Sequence, residues 1–282
     1  MGAEVGRLAS NPLRRTETHL EAPSGRSLFY RTWLPREPRG SPMLFVHGLG
    51  EHSGRYEPTA SWFADRGRAV HAYDQRGHGL SSGRRGHVHL FDDFLDDLEF
   101  VLDRLAAESG KIRPILIGHS MGGLVVATLA CERDPAIELL VTSGPALALG
   151  PDISRGRIRA ARWLGRVLPG FSMQAGLDVE ALSRDPDVIR LYQEDPLVHG
   201  RMSAALAVGM LDRVTRTASS AQCIKVPMLL LHGEEDSLCP VTGSRLFYSG
   251  LSREVAGDSQ LRTYAGLRHE IFNEPEREQI YA

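Results

Sequence analysis

Short apolar runs alternate with helical stretches along most of the chain. Residues 28–33 read as a strand preceded by a turn at Ser24-Gly25. Residues 43–47 form an apolar run that follows Pro42 and stops at Gly48, and residues 68–73, 115–118, 139–142, 228–232 and 261–264 repeat the pattern, so each predicts a strand, several of them buried. Between them Phe91, Phe94, Leu95, Leu98, Val101, Leu102 and Leu105 recur at steps of three and four residues. That spacing predicts an amphipathic helix with its acids facing out. Strands alternating with helices predict parallel strands joined by crossover helices, hence an α/β fold with a mostly parallel, doubly wound sheet flanked by helices.

The pattern changes between Gly144 and Pro227. Strands disappear there, and helical periodicity rich in Arg and Asp takes over. A block of about 75 residues between two buried strands is too long for a plain loop. It predicts a helical insertion over residues 146–224, placed between a first core part at 1–145 and a second at 225–282. Ligands in open α/β sheets bind at the carboxyl ends of the strands, so the insertion is expected to act as a cap there.

Composition narrows the function classes. With 33 Lys and Arg against 35 Asp and Glu, the net charge is −2, which argues against a protein that works by neutralising many phosphates of a nucleic acid. Three cysteines do not make a disulfide framework and fit a reducing compartment. The first ten residues include Glu4 and Arg7 and lack a signal-peptide apolar run, and Gly6 breaks the myristoylation pattern that Gly2 would start. The longest apolar stretch, residues 121–131, is too short for a bilayer. A soluble, cytoplasmic protein is expected, with contact at a membrane surface left open.

The sharpest chemical signal is Gly118-His119-Ser120-Met121-Gly122-Gly123. It follows an apolar strand and opens a helical stretch, which is the context in which G-x-S-x-G presents a nucleophile. Ser120 has to stand on a strained turn with its Oγ exposed. Gly118 and Gly122 flank it because side chains there would meet the neighbouring strand and helix. The helix that follows aims its first N–H groups at the place where an oxyanion forms.

A serine needs a base, and the base needs an orienting acid. Downstream of Ser120 the histidines are His199, His232 and His269. His199 falls in the insertion, and His232 ends a strand and reads as packed. His269 follows the last strand and its turn, so it is the expected base. The acid is expected just past the strand before it, where Glu234-Glu235-Asp236 offers three carboxylates. Asp236 is preferred because the turn consumes Gly233 and Glu234, with Glu235 as its competitor. Two backbone donors are expected for the oxyanion: Met121, and Leu49 in His47-Gly48-Leu49-Gly50.

These residues resemble a known family. The stretch His47-Gly48-Leu49-Gly50-Glu51-His52-Ser53-Gly54-Arg55-Tyr56 looks like the signature of the monoacylglycerol lipases in the α/β-hydrolase superfamily. Asp74-Gln75-Arg76-Gly77-His78-Gly79-Leu80-Ser81 is similar to the turn after that superfamily's fourth strand, and Leu182-Ser183-Arg184-Asp185-Pro186, Tyr192 and Asp195-Pro196-Leu197 fit as well. The likeness runs from about Thr18 to Glu274. It implies an α/β-hydrolase fold with a helical cap and a triad of Ser120, Asp236 and His269. It also implies an apolar tunnel for one acyl chain and a polar glycerol site near Glu51, Arg55 and Tyr192. Glu51 and Arg55, one helical step apart, also read as a simple surface pair. Phe272 stands where some members carry a second histidine. Residues 275–282 resemble the start of a helix that the family continues, which would leave an apolar stripe of the sheet uncovered.

In the insertion, Arg155, Arg157, Arg159, Arg162 and Arg166 lie among Ile158, Trp163, Leu164, Val167 and Leu168, with Asp152 as the one acid. This reads either as a basic amphipathic face for anionic lipid or as a solvated arginine face. Residues 202–211 are apolar nearly all round and read as an alkyl tunnel or as cap packing. Cys239 is expected near the site, buried and inert. No His, Cys or carboxylate spacing suggests a metal, and His87-Val88-His89 would point its rings apart if extended. Gly77-His78-Gly79 lacks the third glycine of a dinucleotide site, so no cofactor is expected. The combined expectation is a serine esterase acting on monoacylglycerols. The alternatives are a lysophospholipase, a general carboxylesterase, and a non-catalytic ligand-binding protein on the same fold.

Overall fold

The computed structural model describes residues 13–23, 25–150 and 154–282. Ser24 and residues 151–153 lie outside them, so the predicted turn at Ser24 and the place of Asp152 and Ile153 are not described. Eight strands form the central sheet: β1 (Arg14–Glu21), β2 (Ser27–Leu34), β3 (Met43–Val46), β4 (Val70–Tyr73), β5 (Ile115–His119), β6 (Leu139–Ser143), β9 (Met228–Gly233) and β10 (Gln260–Tyr264). Two short strands, β7 (Ser172–Gln174) and β8 (Arg201–Ser203), pair with each other elsewhere. The sheet order is β1-β2-β4-β3-β5-β6-β9-β10. All neighbours from β4 to β10 are parallel, while β1 and β2 are antiparallel to each other and β2 is antiparallel to β4.

The alternation of side chains along each strand divides the apolar residues between two cores. Leu44, Val46, Leu116, Leu140 and Leu230 face one side, where they meet α2 (Asp92–Glu108), α3 (Met121–Arg133) and α7 (Val241–Ser249). Met43, Phe45, Ile117, Val141 and Leu231 face the other side, against α1 (Glu57–Asp65) and α9 (Arg277–Tyr281). Helix α2 buries Phe94, Leu95, Leu98, Val101, Leu102 and Leu105, the stripe that its periodicity predicts, but Asp97 turns inward as well, against the expectation of outward acids, and is paired there with the buried Arg76. A four-residue helix, α8 (Arg253–Ala256), leads into β10. Phe272 packs between Phe45 and Tyr281 in the second core, and Tyr281 hydrogen-bonds Thr59 and the Phe272 carbonyl.

The segment between β6 and β9 carries α4 (Arg155–Val167), α5 (Pro186–Glu194) and α6 (Ala204–Ala218), together with the β7–β8 pair. That pair corrects the expectation of a strand-free insertion. Each strand has three residues, too few to leave a periodicity in the sequence. Helix α6 is tied to the main body: Leu206 enters the first core, Thr217 bonds Thr128, and Arg213 pairs with Glu132 and Asp92. Helix α4 sits on α6 with Gly165 close against Val208, and none of its residues is buried.

Candidate active site

The segments that leave the carboxyl ends of β3, β5, β9 and β10 converge on one cavity. Ser120 lies between β5 and α3 at φ 53°, a left-handed conformation that costs a non-glycine residue energy. The turn is held by Ser120 N–H donating to Ser143 O at 3.0 Å, and by Leu124 and Ala146 N–H donating to Ser120 O, both at 3.1 Å. The flanking glycines are sterically required. A Cβ on Gly118 would lie 2.5 Å from Gly122 O, and one on Gly122 would lie 2.2 Å from Val46 O. The second contact is with the oxyanion-loop strand, so the helix carrying Met121 and the loop carrying Leu49 approach at van der Waals limits.

The Leu49 N–H donates no hydrogen bond to another of the described residues. The Met121 amide is the first N–H of α3 and has no acceptor within the helix. Two bonds from the turn after β4 fix the loop carrying Leu49. Gln75 N–H donates to His47 Nε2 at 2.9 Å, and Gln75 Nε2 donates to His47 O at 2.6 Å. The wholly buried Asp74 holds the far end, accepting from Ser53 N–H and Oγ and from Leu80 N–H.

His269 and Asp236 meet as the spacing predicts. His269 Nδ1–H donates to Asp236 Oδ2 at 2.7 Å, while Glu234 and Glu235 stay at the surface. Asp236 Oδ1 accepts from the Leu238 and Cys239 N–H groups at 2.9 and 2.8 Å. Burial opposes ionisation of Asp236, but the His269 charge and these bonds hold its carboxyl well below the usual carboxylate range. Burial likewise opposes a charged His269, yet Asp236 outweighs it and raises the imidazole above 6.5. The two shifts agree, each partner favouring the charged form of the other. His119 stacks 4.6 Å from His269, and burial pushes it down to about 4, so it is neutral near pH 7.

Sequence reasoning missed three supports. His232 does pack as a strand-end residue, but it also stands behind the acid, with Nε2 2.8 Å from Cys239 O and 3.2 Å from Asp236 Oδ2. Glu274, wholly buried, accepts from Arg268 N–H at 2.7 Å and Arg184 N–H at 3.1 Å, pinning the loop that carries His269. Glu270 follows His269 and binds Arg55 through both oxygens, at 2.6 and 2.8 Å. Adjacency to His269 is the one local trace of Glu270, and nothing nearby marks a partner 215 residues away.

The cavity at Ser120 is lined by the apolar side chains of Leu49, Leu177, Leu182 and Leu238 and by the polar ones of Glu51, Tyr192, His119, His269 and Glu270. Its volume is about 30 Å³, room for roughly two waters. Among the described residues that line this cavity none belongs to α6, so α6 reads as packing. Glu51 and Arg55 are not a surface pair. They bond at 2.9 Å with side chains 5% and 9% exposed, and the Arg55 guanidinium lies 4.7 Å from the centre of the Tyr192 ring. Cys239 is buried beside the Ser120 side chain, and burial pushes its thiol up, away from the reactive form. The His87 and His89 rings meet at 5.0 Å because their segment is a loop rather than an extended strand. Among the described residues no three His, Cys, Asp or Glu side chains are grouped as a metal ion would require.

The profile of a family described as serine aminopeptidase, S33, matches residues 37–276. A monoacylglycerol lipase of Mycolicibacterium smegmatis is 35% identical over 268 residues, covering 94% of both chains. The chain belongs to the monoacylglycerol lipase family of α/β-hydrolases. Within it, the human monoglyceride lipase is 33% identical over 261 residues, covering 91% of this chain and 84% of that one. The crystal structure of the Paleococcus ferrophilus monoacylglycerol lipase superposes with a TM-score of 0.77 at 36% identity, covering 96% of this chain and 95% of that one. The protein is a hydrolase of this family, and none of its described helices is long and apolar enough to cross a membrane.

Proposed function

We propose that the chain hydrolyses monoacylglycerols to fatty acid and glycerol, with Ser120, His269 and Asp236 as its triad. His269 takes the Ser120 Oγ proton through Nε2 as the oxygen attacks the ester carbonyl. Asp236 holds Nδ1–H and offsets the charge on the imidazolium. Leu49 and Met121 N–H groups receive the oxyanion. His269 then gives its proton to the departing glycerol oxygen, and a water activated by the same nitrogen releases the fatty acid. The observation that carries this reading is the strained Ser120 facing one cavity together with the Asp236-bonded His269. The substrate class is supported by the relatives' names and by the cavity's leucine and polar side chains.

Residues 146–224 form a cap over the site. The small volume at Ser120 means that the side chain of Leu177, Leu182 or Tyr192 has to rotate away before an acyl chain enters. Glu51 and Tyr192 face the glycerol end, with Arg55 behind them. Helix α4 is the surface that meets lipid. Trp163, Val167 and Leu168 are 66%, 52% and 53% exposed beside the helix's arginines, a pairing that suits an anionic membrane interface. The aminopeptidase description of the family favours a different substrate, a peptide with a free ammonium group.

Monoacylglycerol hydrolysis by the wild type and Ser120→Ala tests the reading, with fluorophosphonate labelling as the report on the serine. Loss of both turnover and labelling in Ser120→Ala is expected. Turnover that survives the substitution would overturn the assignment.

A further inference from the structure

Arg55 stands behind the polar side chains of the Ser120 cavity, and two carboxylates stand between it and the space where an alcohol leaves. Glu51 and Glu270 line the cavity, but Arg55 does not. Arg55 Nη1 donates to Glu51 Oε2 at 2.9 Å and to Glu270 Oε1 at 2.6 Å, and Nη2 donates to Glu270 Oε2 at 2.8 Å. Its flat face is covered by Tyr192. Further acceptor positions are used: Glu51 Oε1 takes Gly48 N–H and Tyr56 O–H, and Glu270 Oε2 takes Asn273 Nδ2–H. Burial would raise both carboxyls, yet the Arg55 charge holds Glu51 below its ordinary value and Glu270 down to about 2. Both are ionised at neutral pH. The cluster therefore presents two negative charges against one positive charge in a place largely shielded from water, where charges act at greater strength.

We propose that Glu270 determines headgroup specificity: by occupying Arg55 and leaving the alcohol end of the cavity with a surplus carboxylate, it admits esters of uncharged alcohols and rejects those whose alcohol carries a phosphate. The inference rests on the ester-hydrolase reading above and deepens it. A phosphate would need the guanidinium that Glu270 holds in a two-pronged bond, and it would lie against the excess negative charge. Without the carboxylate at 270, one edge of the Arg55 guanidinium is released toward the cavity. Glu270 acts on the substrate through charge and through Arg55, without touching the reacting atoms.

The test compares a monoacylglycerol with its 3-phosphate of the same acyl chain, both below aggregation, on the full chain. The wild type is expected to prefer the uncharged ester by ~100-fold in kcat/KM. Glu270→Gln is expected to shrink that preference by ~10-fold or more, chiefly through a lower KM for the phosphorylated ester. Glu270→Asp keeps the charge and the preference. Arg55→Gln/Glu270→Gln, which has no guanidinium to release, loses the gain. The same four proteins are labelled with an uncharged and an anionic fluorophosphonate. This second pair reads the charge effect even where neither lipid is a substrate, an outcome that would reject the monoacylglycerol reading alone. It also covers Gln and double variants too unstable for kinetics, because wild type and Glu270→Asp must both favour the uncharged reagent. The proposal is overturned by a wild type indifferent to charge in both assays, by a folded Glu270→Gln with an unchanged ratio, or by a gain that persists in the double variant.

Discussion

Asp236→Asn tests the site at one atom pair. In the native chain Asp236 Oδ1 receives two backbone N–H donors, from Leu238 and Cys239, and Oδ2 receives the His269 Nδ1–H. An asparagine has one carbonyl oxygen and one NH2 group. The two fixed amides require an acceptor, so the oxygen takes the Oδ1 place and the NH2 group points at His269. The imidazole then has to accept at Nδ1 and carry its proton on Nε2, the nitrogen needed to receive the Ser120 proton. The base is present but in the wrong tautomer. Such a change costs ~10⁴ in kcat, about 5 kcal/mol of barrier. The backbone bonds survive, so thermal unfolding should move little. The assay is steady-state monoacylglycerol hydrolysis, with circular dichroism melting and fluorophosphonate labelling run in parallel. A variant that folds normally and turns over within ~10-fold of wild type would falsify the assignment of Asp236 as the orienting acid.

Two further outcomes are expected. His269 must be uncharged to act as base, and Asp236 raises it above 6.5, so kcat/KM should fall as pH drops through a midpoint above 6.5. A pH–rate profile with its acid limb centred below 6.5 would contradict that coupling. Trp163→Asp should weaken flotation with anionic vesicles several-fold while leaving hydrolysis of a short soluble ester unchanged, since α4 has no buried residue and lines no part of the Ser120 cavity. Equal vesicle binding by both proteins would remove α4 from the lipid contact.

The buried strands and Ser120 were legible in the sequence because both leave local marks. An apolar run such as 115–118 predicts a covered strand, and G-x-S-x-G at its end predicts the sharp turn that the chain makes at Ser120. Strand β1 was not legible. Among its eight residues only Leu20 is buried, so an antiparallel edge strand of Arg, Thr and Glu shows no hydrophobic alternation. Asp236 emerged from three adjacent carboxylates because turn geometry sends the first two outward, which the strand pattern suggests but pairing with His269 decides. The Arg55–Glu270 bond left no trace, since a charge pair between distant segments depends on how the loops meet. Apolar character left two readings open for residues 202–211, a tunnel lining or cap packing. A helix surrounded by α3 and α4 needs the same small and flexible side chains that would suit a tunnel.

The loop bearing the base is stitched to the inserted segment through main-chain atoms: His269 N–H donates to Ala181 O at 3.3 Å and Glu270 N–H to Leu182 O at 2.7 Å. Two stretches of polypeptide that share such bonds move together. On the proposed reading, the gap for a fatty chain would open by displacing parts of the insertion away from residues 181–182, because carrying those two backbones along would move the His269 imidazole. The same seam limits how freely the insertion can be exchanged for another. The stretch around Ala181 has to keep its carbonyls aimed at the His269 and Glu270 amides, whatever sequence surrounds it.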